Sequence, residues 1–155
     1  AMTGSQPHPG TGVTLMGPHR KPISIEAVLK ALGVECIVHA DPLDLKGSIA
    51  AAKCAIDFAG PSAILFESPC VQLVKPSAPV VVNADTCTGC KKCITEIGCP
   101  GLGFDQFLKG AKSKDRGQAF VDASLCNGCG LCVQVCPFKA IELPSDAEEK
   151  EASHA

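Results

Sequence analysis

Apolar residues recur at helical spacing twice in the first half of the chain. The first run begins after Ser24, a residue suited to an N-cap, and ends at Gly33. Its apolar members fall on one helical face and are Ile25, Val28, Leu29 and Leu32. The second run follows Asp41 and ends at Gly60, and its apolar stripe consists of Leu45, Ile49, Ala52 and Ile56. The pattern predicts two short helices, each with one face toward a core.

Two short, continuously apolar segments alternate with these helices, at 36–39 and 63–66. Helices alternating with uninterrupted apolar strands are typical of a parallel α/β sheet that is covered on both faces. We therefore predict that residues 1–68 form an α/β fragment. Two strands and two helices cannot cover the faces and edges of their own sheet. The rest of this domain is expected in another polypeptide or in a longer form of this one.

The second half of the chain repeats itself. Apolar segments at 80–83 and 119–122 each precede a cluster of cysteines, and further apolar segments at 102–104 and 140–143 follow the clusters. This repetition predicts an α+β domain over 80–144, built from two half-units with pseudo-twofold symmetry. Residues 69–79 contain three prolines and are expected to be a linker. The acidic tail at 145–155 is predicted to be disordered.

Composition excludes several classes of partner. The 155 residues carry a net charge of -2 with an isoelectric point near 6.1, which gives no electrostatic reason to bind nucleic acid or an anionic membrane. No apolar run has the length needed to span a bilayer. The N-terminus lacks the basic start and apolar stretch of a signal peptide. We predict a cytoplasmic protein.

Two cysteine triplets carry the candidate chemistry. Cysteines recur at every third position in 87–93 and again in 126–132, and each triplet is followed by a Cys-Pro pair. This spacing is typical of bacterial-type ferredoxins with two [4Fe–4S] clusters, in which each triplet takes its fourth ligand from the other half. The predicted ligands of one cluster are Cys87, Cys90, Cys93 and Cys136. Those of the other are Cys126, Cys129, Cys132 and Cys99.

Other readings of the cysteines explain less. A zinc ribbon uses four ligands and would leave the other four cysteines of the two runs idle. A disulfide framework needs an oxidising compartment and fits poorly with an odd total of 11 cysteines. The remaining three, Cys36, Cys54 and Cys70, adjoin apolar segments and are interpreted as small hydrophobic residues.

Small residues and prolines within the runs have predicted roles of their own. Gly89 and Gly128 are expected to let the backbone approach the inorganic sulfide closely, since they have no side chain. Pro100 and Pro137 are expected to prevent helix from continuing through each Cys-Pro pair. Five residues separate Cys93 from Cys99 where the usual run has three, which widens that loop without removing the ligand.

Three further stretches, at 1–12, 25–33 and 60–65, are informative together with both cysteine runs. With these motifs the chain resembles, from Ala1 to Leu143, the C-terminal part of the large subunit of indolepyruvate:ferredoxin oxidoreductases. It implies that residues 1–68 are the end of a thiamine-diphosphate-binding domain. The implied reaction is oxidative decarboxylation of an aryl 2-oxo acid to an aryl acetyl-CoA and CO₂. Its electrons would leave through the two clusters to a soluble ferredoxin.

The resemblance carries over only in part. The family binds Mg²⁺ and the diphosphate through a Gly-Asp-Gly motif and a following Asn, and this motif does not occur in the chain. Thiamine diphosphate and Mg²⁺ are therefore expected only in a complete enzyme, whose implied partners are the remainder of the large subunit and a smaller β subunit. Gly4 and Gln6 could then border the cofactor, and the alternative is a Gly-rich surface turn. One of His8 and His19 could face the substrate, and the alternative is an exposed loop residue.

Two further functions fit the same residues. The chain could be an independent ferredoxin-type electron carrier, or its cluster domain could serve mainly to hold subunits together. Residues 1–79 favour the oxidoreductase, because a free ferredoxin has no use for half of an α/β domain. Lys91 and Lys92, with the basic residues of the insertion at 105–118, could attract an acidic ferredoxin, although a solvated loop is the simpler reading.

Overall fold

The computed structural model describes residues 8–71 and 73–144, which divide between Lys75 and Pro76 into two compact units. The division falls inside the linker predicted at 69–79. Gly4, Gln6 and the predicted tail at 145–155 lie outside the described residues.

The first unit is a small α/β arrangement. After a 3-10 turn at Pro9–Thr11, it contains helix α1 (Ile25–Ala31), strand β1 (Cys36–Ala40), helix α2 (Leu45–Asp57) and strand β2 (Ser62–Phe66). The two strands pair in parallel, with Cys36 opposite Ser62 at one end and Ala40 opposite Phe66 at the other. Both helices begin at side-chain caps, because the amides of Ala27 and Gly47 donate to Ser24 Oγ and Asp44 Oδ1 at 3.1 Å each.

The helix faces that the sequence marks as core are largely exposed. Leu32 at the end of α1 is 75% exposed, and Ile56 on α2 is 80% exposed. The buried face of α2 is instead formed by Ala51 and Ala55. The prediction of the core-facing stripe was therefore wrong for α2, because the small residues allow the helix to approach the two strands closely. Several members of each stripe are exposed in the described part of the chain, which leaves apolar surface uncovered on both helices.

The second unit interleaves its two halves. Its elements are β3 (Val81–Val82), α3 (Lys92–Ile97), β4 (Leu102–Asp105), β5 (Gln118–Val121), α4 (Leu131–Val135) and β6 (Ile141–Glu142). Strand β3 pairs antiparallel with β6, and β4 pairs antiparallel with β5. Each sheet therefore takes one strand from each half of the repeat. The halves cannot separate without breaking both sheets.

The core of the second unit lies between these sheets and the two short helices. Its buried apolar residues are Val80, Leu102, Ala119, Ala140 and Ile141, and they pack with the buried thiols of Cys87, Cys93 and Cys132. The predicted cluster ligands are thus part of the core itself. A metal centre bound by these thiols would add to the stability that apolar burial gives such a small domain.

The insertion between β4 and β5 is folded against the rest of the unit. Ser113 is fully buried and its hydroxyl accepts a hydrogen bond from the amide of Gly110 at 3.0 Å. At the end of the insertion, the side-chain amide of Gln118 donates to the carbonyl of Ala84 at 2.5 Å. The first bond lies within the insertion, and the second attaches the insertion to the segment that precedes Cys87.

The two helices end differently. Helix α4 stops at Cys136, whose extended backbone is the conformation favoured before Pro137. Helix α3 stops earlier, at Gly98, which takes a left-handed conformation with φ of 61°. Neither helix continues through its Cys-Pro pair, as expected, and the first helix already ends two residues before Pro100.

Across the described residues, no helix is both long enough and apolar enough to cross a bilayer.

Candidate metal centres

Each cysteine triplet borders a cavity that also receives a cysteine from the opposite half. The first cavity is lined by Cys87, Cys90, Cys93 and Cys136. The second cavity is lined by Cys126, Cys129, Cys132 and Cys99. These are the two sets that the spacing assigns to separate clusters, and the structure brings each set together around one space. Whether they ligate iron stays a prediction.

Matching turns present the two triplets. The side-chain carbonyl of Asn83 accepts from the amides of Asp85 and Thr86 at 3.0 and 3.2 Å. In the second half, Asp122 accepts from the amide of Ser124 at 2.9 Å and from its hydroxyl at 2.6 Å. These bonds from Ser124 lower the pKa of Asp122. Asn and Asp commonly form such turns, and their equivalent positions in the repeat were the sequence signal that the spacing analysis missed.

The amides of Cys87 and Cys126 complete the correspondence between the two turns. Each donates to the backbone carbonyl of the residue that forms its turn, Asn83 or Asp122, at 3.0 Å. The first cysteine of each triplet is thereby fixed relative to the strand before it. Both triplets consequently start from the same local geometry.

Glycine is required in both loops by backbone conformation and by crowding. Gly89 and Gly128 have φ of 69° and 70°, in the left-handed region. A β-carbon on Gly89 would collide with the carbonyl of Gly117, and one on Gly128 would collide with the carbonyl of Ala78 at 2.5 Å. The requirement that the structure shows is therefore contact with neighbouring chain segments. Close approach to sulfide stays a prediction.

Burial and mutual proximity raise the pKa values of the innermost thiols. Burial raises the pKa of Cys93, and the neighbouring groups of Cys136, Cys90 and Cys87 raise it further. Burial likewise raises the pKa of Cys132 to about 11, with additional contributions from Cys129, Cys126 and Cys99. Four thiols held this close repel one another as thiolates. A bound cation offsets that repulsion, so proton release is expected to accompany metal binding.

Backbone amides donate to the sulfur of each crossing cysteine. The amide of Gly101 lies 3.4 Å from Cys99 Sγ, and the amide of Ala140 lies 3.2 Å from Cys136 Sγ. Amide donors to cysteine sulfur are among the interactions that set the potential of iron–sulfur clusters. The structure therefore supplies one such donor to each cavity.

Each cavity is lined by four thiols, which is the number of protein ligands that a cubane cluster takes. Within the described ranges, no three cysteine, histidine or carboxylate side chains are grouped as a single metal ion would require. A cubane differs because each of four thiolates binds its own iron at a separate corner. In the first cavity, moreover, the buried hydroxyl of Thr88 has no hydrogen-bond partner in the described part of the chain. A sulfide or thiolate sulfur in the cavity would accept from it.

The other sequence candidates lie in the first unit. His8 is exposed and accepts from the amide of Gly10 at 3.1 Å, while His19 forms a β-bridge with Val13. Burial raises the pKa of Cys36, and the thiol of Cys54 lies close enough to raise it further.

His8 also lines a third cavity, at the carboxyl ends of β1 and β2. His39 lies in this cavity, with ring nitrogens 3.6 Å from Glu26 and 3.5 Å from Glu67. Glu26 further contacts Lys30 at 2.6 Å, and that contact lowers the pKa of Glu26. The first unit thus has a surface network of polar and charged side chains of its own, which sequence reasoning did not anticipate.

Comparison with protein families identifies the class of the second unit. Residues 84–104 and residues 119–142 each match a family described as a 4Fe-4S binding domain. All eight cysteines that border the cavities fall within these matches. The second unit is therefore a pair of ferredoxin-type iron–sulfur modules, and the matches support two [4Fe–4S] clusters as its cofactors.

Similarity over nearly the whole chain identifies a particular group of relatives. The chain is 41% identical over 156 residues to the indolepyruvate oxidoreductase subunit IorA of Pyrococcus abyssi, covering 96% of this chain and 23% of that protein. It is 39% identical to IorA of Pyrococcus horikoshii over the same shares, and 33% identical to IorA of Methanothermobacter thermautotrophicus over 92% and 22%. No solved structure matches the chain significantly.

These relatives confirm the resemblance found in the sequence. The chain is homologous to a segment of IorA, and two stretches of the chain itself match 4Fe-4S binding domains. It spans less than a quarter of the length of these relatives.

Proposed function

We propose that this chain is the electron-transfer portion of an indolepyruvate:ferredoxin oxidoreductase. The observation that carries the proposal is the crossed arrangement of cysteines, in which each cavity holds three thiols from one triplet and a fourth from the other half. Cys87, Cys90, Cys93 and Cys136 would hold one [4Fe–4S] cluster, and Cys126, Cys129, Cys132 and Cys99 would hold the other.

A bound [4Fe–4S] cluster accepts and releases single electrons at a potential that its surroundings set. The chain contributes those surroundings. Buried apolar residues such as Val80 and Ile141 exclude water from the cavities, and burial lowers the potential of a negatively charged centre. The amides of Gly101 and Ala140 act in the opposite direction, because they stabilise negative charge on sulfur.

The crossed sets of cysteine ligands also keep the two centres near each other. Helix α3 runs from Cys93 of the first cavity toward Cys99 of the second, and α4 runs from Cys132 of the second cavity to Cys136 of the first. The two helices pack together. An electron would therefore travel only a short distance between the centres, through mostly apolar surroundings.

The complete enzyme would contribute the chemistry that produces the electrons. Thiamine diphosphate and Mg²⁺ would bind in the remainder of the large subunit, with Gly4 and Gln6 at the border of that site. An aryl 2-oxo acid would be converted to an aryl acetyl-CoA and CO₂, and a soluble ferredoxin would accept the electrons. A smaller β subunit would complete the assembly. Because the cluster thiols must stay reduced until iron binds, we place the protein in the cytoplasm.

The exposed apolar surface of the first unit supports the proposal that further polypeptide covers it. Ile25, Val28 and Leu32 on α1 are 59%, 47% and 75% exposed, and Ile49 and Ile56 on α2 are 48% and 80% exposed. A free electron carrier would gain nothing from such a surface, whereas a segment of a larger domain would bury it. This difference favours the oxidoreductase over an independent carrier or a purely structural module.

Anaerobic reconstitution of the chain with iron and sulfide tests the proposal. We expect about eight iron atoms per chain, four in each of two clusters. Reduction with dithionite should then bleach the visible absorbance and produce the electron paramagnetic resonance signal of two interacting reduced clusters. A chain that binds one iron or fewer, or clusters that stay inert to reduction, would contradict the proposed function.

A further inference from the structure

The two cavities differ in the charge around them. Lys91 is the charged residue that lines the first cavity, and the described lining of the second cavity includes neither a basic nor an acidic side chain. Lys92 follows at the start of α3 and is exposed. Basic residues are therefore concentrated at the first of the two candidate centres.

The insertion brings a further basic residue next to the first triplet. The β-carbon of Arg116 lies 3.3 Å from the position that a β-carbon on Gly89 would occupy, so Arg116 adjoins the first triplet. Its guanidinium donates to the backbone carbonyls of Lys112 and Ser113, at 3.2 and 3.4 Å. Those bonds orient the side chain without neutralising it, because both acceptors are uncharged.

None of these three cations is neutralised by a carboxylate in the described part of the second unit. The ion pair found there joins Lys109 to Asp115 at 2.7 Å. The ammonium of Lys91 lies instead over the ring of Phe104, 4.2 Å from its centroid. An aromatic ring holds the cation in position and leaves its charge uncancelled. Lys91, Lys92 and Arg116 together form what we call the basic rim.

The middle cysteines of the two triplets differ in exposure. Cys90, the middle cysteine of the first triplet, is exposed, whereas its counterpart Cys129 is half-buried. The amide of Ser77 donates to the carbonyl of Asn127 at 3.2 Å, and Ala78 packs against Gly128. The segment at 77–78 therefore covers the second triplet. Electron transfer between proteins requires close approach, so the exposed thiol at the basic rim favours the first cavity as the point of exit.

We propose that the basic rim is the docking surface for an acidic electron-acceptor protein, which receives electrons from the centre in the first cavity. The proposal rests on the proposed electron-transfer function and adds which centre is the exit and what chemistry recognises the acceptor. One electron would leave the reduced centre and reduce the oxidised acceptor, and no bond or proton would move. Charge complementarity of this kind mainly accelerates and orients association.

Binding measurements test the docking surface separately from electron transfer. The reconstituted, oxidised full chain would be titrated calorimetrically with an acidic bacterial ferredoxin at low and high ionic strength. We expect the double variant Lys92→Glu/Arg116→Glu to bind at least about tenfold more weakly at low ionic strength and to lose most of its salt dependence. The control Lys46→Glu/Lys53→Glu makes the same change of charge on α2 and should bind as the unmodified chain does.

A third variant removes one cation without changing the local backbone. Lys91 has φ of 62°, and the equivalent residue of the second triplet is Gly130 with φ of 76°. Lys91→Gly therefore suits the same conformation, and it should weaken ferredoxin binding by a smaller factor than the double reversal. Cytochrome c, a basic protein of similar size, should not bind more weakly to any of these variants.

The outcomes distinguish this proposal from the proposed function. Unchanged ferredoxin binding in the double variant, or an equal loss in the α2 control, would overturn the docking surface. A shift in cluster potential without a change in binding would also overturn it, since the cations would then act on the chain's own centre. If the clusters of the unmodified chain fail to take up electrons from dithionite, the proposed function fails, and the exit role fails with it.

Discussion

The two cysteine loops, 87–93 and 126–132, are equivalent in backbone and unequal in surroundings. Each follows a turn formed by Asn83 or Asp122, and each has a left-handed glycine two residues after its first cysteine. The first loop is packed against Gly117 of the insertion, and the second against Ala78 of the preceding segment. The shared features are those that the cysteine positions demand. The unequal features are exposure and charge, and they come from segments outside the cysteine motif.

The crossed ligand sets are the strongest shared feature, and cysteine removal tests them. Cys136→Ala should cost the cluster of the first triplet, and Cys99→Ala should cost that of the second, so each variant should retain about four iron atoms. Iron and sulfide analysis after anaerobic reconstitution measures this directly.

Paired substitutions then distinguish crossed from uncrossed ligands. Cys90→Ala combined with Cys136→Ala should still retain about four iron atoms, because both changes affect one cluster. Cys90→Ala combined with Cys99→Ala should retain almost none. If the second pair keeps half of the iron, each triplet takes its fourth ligand from its own half and the crossed assignment is wrong.

Glycine substitution tests whether the covering segments constrain the two loops equally. Gly89→Ala and Gly128→Ala should each destabilise the second unit by about 3 kcal/mol, from left-handed strain together with collision against a backbone carbonyl. Gly130→Ala is the matched control, because its β-carbon would meet Leu143 at an ordinary 3.9 Å and strain alone should cost about 1 kcal/mol.

Thermal unfolding of the reconstituted variants under anaerobic conditions measures these differences. Equal unfolding temperatures for the Gly89 and Gly130 variants would show that the insertion moves aside at little cost. The first loop would then be less constrained by the insertion than the structure indicates.

The sequence predicted the local features well, because they depend on residues close together in the chain. Ser24 caps α1 as its position indicates, and the spacing of the cysteines separates them into the two sets that the cavities bring together. The four repeated apolar segments coincide with the four short strands of the second unit. Ligation by those cysteines, and the borders of the four predicted segments, remain predictions.

The features that the sequence did not predict depend on contacts between distant segments. Ala51 and Ala55 form the buried face of α2 because small side chains suit the nearby strands, and periodicity alone favoured the larger residues. The insertion has no periodic pattern, so nothing in the sequence indicated that Phe104 would lie beneath Lys91 or that Gln118 would bond to Ala84. The asymmetry between the loops arises from such contacts.

A hydroxyl in the first cavity offers the finest test of that asymmetry. Thr88 occupies the position equivalent to Asn127, whose side chain accepts from the amide of Cys129 at 3.2 Å. The buried Thr88 hydroxyl has no such partner among the described residues, so we expect it to donate to sulfur of the bound cluster. Such a bond stabilises the reduced, more negative state. Thr88→Val should therefore lower one of the two midpoint potentials.

The expected size follows from the strength of one hydrogen bond. A net contribution of about 0.5–1.5 kcal/mol corresponds to about 20–60 mV for a one-electron couple. Potentiometric titration followed by electron paramagnetic resonance would resolve the shift. Thr95→Val is a matched control, because the Thr95 hydroxyl is exposed and contacts the carbonyls of Lys91 and Lys92. An unchanged potential in the Thr88 variant would mean that exposure and charge, without this hydroxyl, account for any difference between the two centres.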